Sequence, residues 1–330
     1  MDERRKNILI QLVRGALCIC VVFFHYTSRF SALSGYAISK GIKSVASVTV
    51  LIGMCGFCLI SGYYAVNPDK DESIFRVMAR RIKRLYPSYV ISITVIFIMM
   101  SILPEYSLGR EVPFSEYMLN ILLLGFLPGR KWVDGAHWYL PFILIVCLSL
   151  AVIHRLKKLY DNDILWMLFF VCATAVIFVS KRYYETVTLY LLYYSMSFFG
   201  AYIRKGGIKK GLSGAAAVVQ FIGTVFCSGL LSACILMAAM ISIVFILLRN
   251  PTNGFTENAE HYRLTWLGDR SYNVYLVHQN IGYIIILLSI DKGISYDAAC
   301  IMAFIITALL AAVIYIVDLK LQNLLNAKKS

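Results

Sequence analysis

Long apolar runs separated by short basic blocks recur along the whole chain. The first, Ile8 to Ser28 (ILIQLVRGALCICVVFFHYTS), supplies the ~20 residues a helix needs to cross ~30 Å of hydrocarbon at ~1.5 Å per residue. Further runs lie at about 45–66, 86–103, 137–154, 163–179, 187–203, 271–290 and 295–317. Residues 212–249 are too long for one span and break near Ser228-Gly229 into two. Residues 117–127 are apolar but too short to cross, and predict an interfacial or re-entrant helix. The pattern therefore predicts an all-α polytopic membrane helical bundle of about ten transmembrane helices. No repeat, linker or soluble segment interrupts it, so residues 1–330 read as a single membrane domain.

Charge orients this map. Arg4, Arg5 and Lys6 precede the first run, and the segment PDKDESIFRVMARRIKRLYP after the second reads as a strongly basic inner loop. With both termini inside, 22 of the 32 Lys and Arg fall in inner segments and nine in outer ones, the bias expected of a multi-pass protein of the cell (inner) membrane. Composition agrees: 59% of the 330 residues are hydrophobic and the mean hydropathy is +0.72. A net charge of +14 held in short blocks between spans marks topology and a lipid bilayer as partner, not nucleic acid. The nine cysteines all lie in apolar runs and read as small buried hydrophobes. Cys55 and Cys58 form a lone CxxC without a second pair or a nearby His, so no metal site is expected. DERRK before an apolar run resembles a signal peptide, but Arg14 interrupts the run and no small-x-small cleavage site follows before Arg29.

Ionisable groups inside these runs are the candidates for chemistry, because burying them in lipid is costly. Arg14 and His25 are eleven residues apart, three turns plus ~20°, so they share a helix face ~16 Å apart in depth. For His25 an inter-helix hydrogen bond is the structural alternative; a guanidinium cannot neutralise itself, so packing alone accounts less well for Arg14. Arg80, Arg81 and Arg84 lie within a turn and a half and suit the phosphates of an anionic cofactor, or equally the ordinary basic rim of a span. His137, Trp138 and Tyr139 open the fourth span from outside, placing His137 level with His25. Ser271, Tyr275 and His278 form a polar stripe at i, i+4 and i+7 on the ninth span. His278, ~10 Å into that helix, is expected near the depth of Arg14; for Tyr275 a packing role is the simpler reading.

Five short stretches in order, RG at 14–15 with His25, GFCLISGYY at 56–64, RRIKRLYP at 80–87, HWYLP at 137–141 and SYNVYLVHQ at 271–279, resemble the acyltransferase 3 family of integral membrane acyltransferases. The resemblance covers nearly the whole chain. It implies transfer of an acyl group, usually acetyl, from cytoplasmic acyl-CoA to a hydroxyl of an envelope glycan. It also implies importance for Arg14, His25 and the Arg80/Arg81/Arg84 cluster. The chain departs from many members in having Gln11 where they have Asp, so a carboxylate partner for Arg14 must come from elsewhere. It also lacks a Glu after HWYLP, which resembles a WYLP-type branch found with exopolysaccharide modification.

These observations make the expected activity that of an O-acetyltransferase. Acyl-CoA would dock on Arg80, Arg81 and Arg84, Arg14 would neutralise charge deeper in the membrane, and His25 would act as general base or acyl carrier. His137 and Ser271 are candidates for oxyanion stabilisation, with Trp138, Tyr139, Tyr275 and His278 as substrate or supporting groups. The alternative is a transporter or flippase for a polysaccharide or lipid-linked sugar, against which stand the absence of an inverted repeat and of paired broken spans. A sensor function would call for a fused soluble module.

Overall fold

A computed structural model describes residues 2–66, 72–206, 212–248 and 264–327, and every regular element among them is helical. In order these are α1 (Asp2–Phe24), which continues through a π-helical turn (His25–Arg29) into α2 (Phe30–Ser34), α3 (Lys40–Tyr63), α4 (Ile74–Ile102), α5 (Phe114–Ile121), α6 (Tyr139–Arg155), α7 (Lys157–Tyr160) and α8 (Asp163–Lys181). Then follow α9 (Glu185–Arg204), α10 (Leu212–Ser228), α11 (Leu230–Leu248), α12 (Trp266–Asp269), α13 (Ser271–Asp291) and α14 (Tyr296–Ala327). Helix is the natural outcome, because lipid offers the backbone no hydrogen-bond partner and a helix satisfies its own groups.

Eight helical segments are long and apolar enough to cross a membrane, so the chain is a polytopic helical bundle. The other two of the ten expected spans are helical as well. α9 has 20 residues but carries Glu185, Thr186, Thr188 and several tyrosines and serines, and the apolar part of α10, Gly214–Ser228, is short. The expected break falls at Gly229, whose φ of +82° ends α10 and permits α11 to start. Two boundaries differ. Residues 74–85 were expected in a loop but form the first turns of α4, since Arg, Lys, Leu, Met and Ala are strong helix formers. Of the short helix expected at 117–127, the structure forms α5, which starts earlier, at Phe114, and stops at Ile121, before the left-handed Leu123. The expected inner segments around 204–210 and 250–270 fall partly outside the described residues.

The chain divides into two compact units, residues 1–50, 83–141 and 251–330 in the first, 51–82 and 142–250 in the second. In the first, α13 is the core: Val274, Leu276, Val277, His278, Ile284 and Ile286 have no exposed surface. α14 and α1 flank it. Tyr26 joins all three, its hydroxyl donating to the His278 carbonyl at 3.0 Å and meeting Thr307 Oγ1 at 3.2 Å. A Cβ at Gly282 would overlap the Tyr26 ring, so only glycine lets α13 and the π-turn approach this closely. α12 docks on α1 in the same way, Gly268 lying against the Gln11 carbonyl and Gly15 against Gly268 N. A polar tie also links three helices. Buried Asp318 accepts from Ser88 Oγ at 2.6 Å, and Ser88 Oγ accepts from Asn273 Nδ2 at 3.0 Å.

In the second unit α9 is the most buried helix, despite its polar residues. Gln220 donates to Ser195, and the Thr188 hydroxyl meets that of Ser180 at 2.9 Å. Backbone contact explains the small residues: a Cβ at Gly62 would overlap the Ser197 carbonyl, and one at Gly200 the Leu59 carbonyl. Gly62→Ala should therefore destabilise the protein by about 1–3 kcal/mol, the usual range for overpacking. Gly214→Ala meets nothing within 4 Å and should be neutral or slightly stabilising. Thermal unfolding of the two variants in detergent checks this, and equal melting temperatures would show that α3 and α9 are not in backbone contact.

Candidate functional site

Arg14 lies in α1 and His25 is the first residue of the π-helical turn that continues it, with α-helical geometry unbroken from Arg14 to Phe24. Arg14 is half-buried and its Nη1 donates to Gln11 Oε1 at 3.3 Å, one turn back on the same helix. Gln11 thus gives the guanidinium a neutral acceptor. The carboxylate within Coulombic reach of Arg14 is Asp269 of α12, and Arg84 of α4 is the nearby cation. α12 carries that acid because the Gly268–Gln11 approach seats it on the middle turns of α1.

The same docking decides where His278 sits. Since Gly268 is level with Gln11 and Gly15, α13 begins beside Cys18, whose thiol points at the Ser271 carbonyl at 3.9 Å. Seven residues along each parallel helix bring His278 level with His25, not with Arg14 as the distance along one helix had implied. The two imidazoles lie edge to face with centroids 4.8 Å apart.

Their hydrogen bonds define what each can do. His278 Nδ1 lies 2.8 Å from the Tyr275 carbonyl. A carbonyl only accepts, so Nδ1 carries the proton and neutral His278 keeps its lone pair on Nε2. That Nε2 is buried and has no hydrogen-bond partner. His25 Nδ1 lies 3.3 Å from the Tyr283 hydroxyl. When Nδ1–H donates to Tyr283, the His25 lone pair is on Nε2 and available for a substrate hydroxyl.

A third histidine joins from the segment 133–138. His137 is fully buried, its Nε2 donating to the Leu276 carbonyl at 2.9 Å and its Nδ1 left without a partner. A residue the sequence reading passed over makes this possible. Asp134, also fully buried, caps the 3-10 turn Gly135–Trp138 through Oδ1 to Ala136 N at 2.8 Å and accepts Asn280 N through Oδ2 at 2.9 Å. Asn280 returns the tie, donating to the Val133 carbonyl at 2.7 Å. The signal available was Asp-Gly-Ala directly before HWYLP, with Asp at a helix-capping position.

The remaining candidates are placed apart from the histidines or occupied. Ser271 Oγ donates to the Gly268 carbonyl at 2.7 Å, at the start of α13, ~10 Å along the helix from His278. Tyr275 is a packing residue, its hydroxyl bonded to the Ala136 carbonyl and its ring 5.4 Å from that of Tyr139. Trp138 packs edge-on against Tyr139 at 5.9 Å. On α4 the three arginines differ. Arg80, half-exposed, forms two bonds of 2.7 Å to Glu72, and Arg81 donates to the Tyr64 carbonyl. Arg84, in the unit that holds the histidines, acts on Arg14. Among the described residues no group of three His, Cys, Asp or Glu is arranged to hold a metal ion.

A family model for the acyltransferase domain, acyltransferase 3, matches residues 7–317. The chain belongs to that family and is a multi-pass membrane acyltransferase. Neither a curated protein nor a solved structure matches it.

Proposed function

We propose that this protein is an O-acyltransferase of the cell envelope, moving an acetyl group from cytoplasmic acetyl-CoA to a hydroxyl of a glycan or exopolysaccharide on the other side of the membrane. The observation that carries this reading is the half-buried His25, paired edge to face with His278 and backed by Tyr283. It lies three turns along α1 from Arg14. His25 Nε2 takes the proton as the acceptor oxygen attacks the thioester carbonyl. The new C–O bond forms, the C–S bond breaks, and the proton passes to the departing CoA sulfur. His278, neutral with its lone pair on Nε2, holds the His25 ring in place through the edge-to-face contact and sets a proton acceptor beside it. Arg14 and Arg84 take the donor's phosphates, which fits an entry from the cytoplasmic side.

Purified protein in nanodiscs, given acetyl-CoA labelled in the acetyl group and crude envelope glycan, should transfer label to glycan. Label that stays on CoA, or appears only as free acetate, would overturn the reading. The donor assignment has its own test. Arg84→Ala should weaken acyl-CoA binding by roughly tenfold or more, the loss of one charge-assisted contact, and by more than Arg84→Lys, which keeps the charge but loses the planar fork. Arg80→Ala should cost less, since that guanidinium is already occupied by Glu72. Equilibrium binding of a non-hydrolysable acyl-CoA ranks the three variants; a larger loss at Arg80 would move the phosphates away from Arg84.

A further inference from the structure

Beside His25 lies a cationic group that the acyl-transfer chemistry leaves unused. Arg110 enters from the loop between α4 and α5. Leu108 and Gly109 have φ of +58° and +66°, a left-handed conformation that is strained at a leucine. The loop is held in this form by Ser107, whose hydroxyl lies 2.7 Å from the Pro104 carbonyl and also in contact with the Glu111 carboxylate, sharing its one proton between them. Glu111 is thereby turned to Ser107, and Arg110 is aimed inward. Its guanidinium carbon is 5.9 Å from the centre of the Tyr283 ring, whose hydroxyl meets His25. A Cβ at Gly135 would come within 2.7 Å of Arg110 Nη2 and 3.1 Å of Gln279 Nε2, so glycine there lets Arg110 and Gln279 meet over bare backbone.

Two polar atoms in this cluster, Arg110 Nη1 and Gln279 Oε1, are buried and without a hydrogen-bond partner. Leaving a buried donor on a charged group without a partner is unfavourable, and a bound anion would offset that cost. Among the described residues no carboxylate pairs with Arg110. Asp134 is committed to Ala136 and Asn280. Arg29, the last residue of the π-turn, is exposed and also lies within Coulombic reach of His25 and Tyr283. Two cations without an ion pair among the described residues thus stand beside the imidazole, Arg110 half-buried with its Nη1 enclosed and Arg29 exposed.

We propose that Arg110, supported by Gln279 and Arg29, binds an oxyanion of the acceptor, so that the preferred acceptor is a sugar bearing a carboxylate, such as a uronate. A guanidinium fork suits a planar carboxylate by two parallel N–H···O bonds. Gln279 Nε2 would donate to a neighbouring sugar oxygen, while Oε1 accepts from a hydroxyl. The inference rests on the acyl-transfer reading only in placing the acceptor at His25.

Methyl β-glucuronide and methyl β-glucoside differ only in carboxylate against hydroxymethyl, and serve as probes. Their binding to the full chain in nanodiscs of zwitterionic lipid can be followed by calorimetry. The wild type should prefer the glucuronide by about tenfold or more, equivalent to ~1.4 kcal/mol. Arg110→Gln should abolish the preference and Arg110→Lys keep part of it, while both variants retain acyl-CoA binding and the wild-type melting temperature. Equal affinity for the two sugars, no binding of either, or a preference that survives Arg110→Gln overturns the proposal. Absence of acyl transfer to any glycan, with the glucuronide preference intact, would instead refute the enzymatic reading and leave the anion site standing.

Discussion

His25→Gln should abolish glycan acylation while leaving insertion, folding and acyl-CoA binding unchanged. Gln keeps a hydrogen-bonding side chain of similar volume, able to reach the Tyr283 hydroxyl, but it cannot take a proton. Loss of a general base typically costs 10²–10⁴-fold, and an acyl carrier more, because its intermediate could not form. His278→Gln is the informative companion. If His278 orients His25 and sets a proton acceptor beside it, the substitution should slow transfer by roughly tenfold to a hundredfold without removing it, and the pH profile should change shape. Labelled-acetyl transfer by the two variants at matched expression gives the ratio. Activity near wild type in His25→Gln would leave His25 as an inter-helix tie and pass the chemistry to His278 or His137.

The spans were legible because lipid permits few alternatives. An apolar run of ~20 residues has to become a helix, and a glycine between two such runs, as at Gly229, has to be a break. Arg14 and His25 were legible for the same reason: their phase is fixed by helix geometry alone. The position of His278 was not. It depends on how deep α13 starts, and that is set by Gly268 lying against Gln11, a contact between residues far apart in sequence. The His25–His278 pair could be found only once α12 was seen against α1.

Arg110 and Asp134 were missed for a different reason. Both lie in irregular segments, where no periodicity separates a buried charge from a solvated one. Arg110 counted only towards the charge bias of a loop. The extension of α4 back to Ile74 was hidden because a basic block before a span reads as a loop, although its residues favour helix. α9 shows the opposite case. Its tyrosines, serines and threonines dilute the apolar signal, yet burial against α3 makes it the core of its unit, since small polar residues allow close approach and find hydrogen-bond partners among neighbouring helices.

Asp134→Ala should have the largest effect on stability. The carboxylate has no exposed surface and accepts two backbone N–H groups, Ala136 N at 2.8 Å and Asn280 N at 2.9 Å. Alanine would leave both donors buried and unpaired, at about 1–3 kcal/mol each and more for bonds to a charge, for a total of about 3–5 kcal/mol. Against a stability of ~5–15 kcal/mol that is enough to reduce accumulation of folded protein. The consequence would reach the site as well. Without the cap, the turn Gly135–Trp138 loses its hold on α13, and His137 its bond to Leu276. Asp134→Asn should fall between the two, since its amide can accept one N–H but presents a donor to the other. Melting temperature and acyl transfer should therefore decline together in both variants, alanine more than asparagine, in contrast to His25→Gln, where only transfer declines. An Asp134→Ala protein that melts like the wild type yet fails to transfer acyl groups would mean that this carboxylate takes part in the chemistry and does not simply hold the histidine segment against α13.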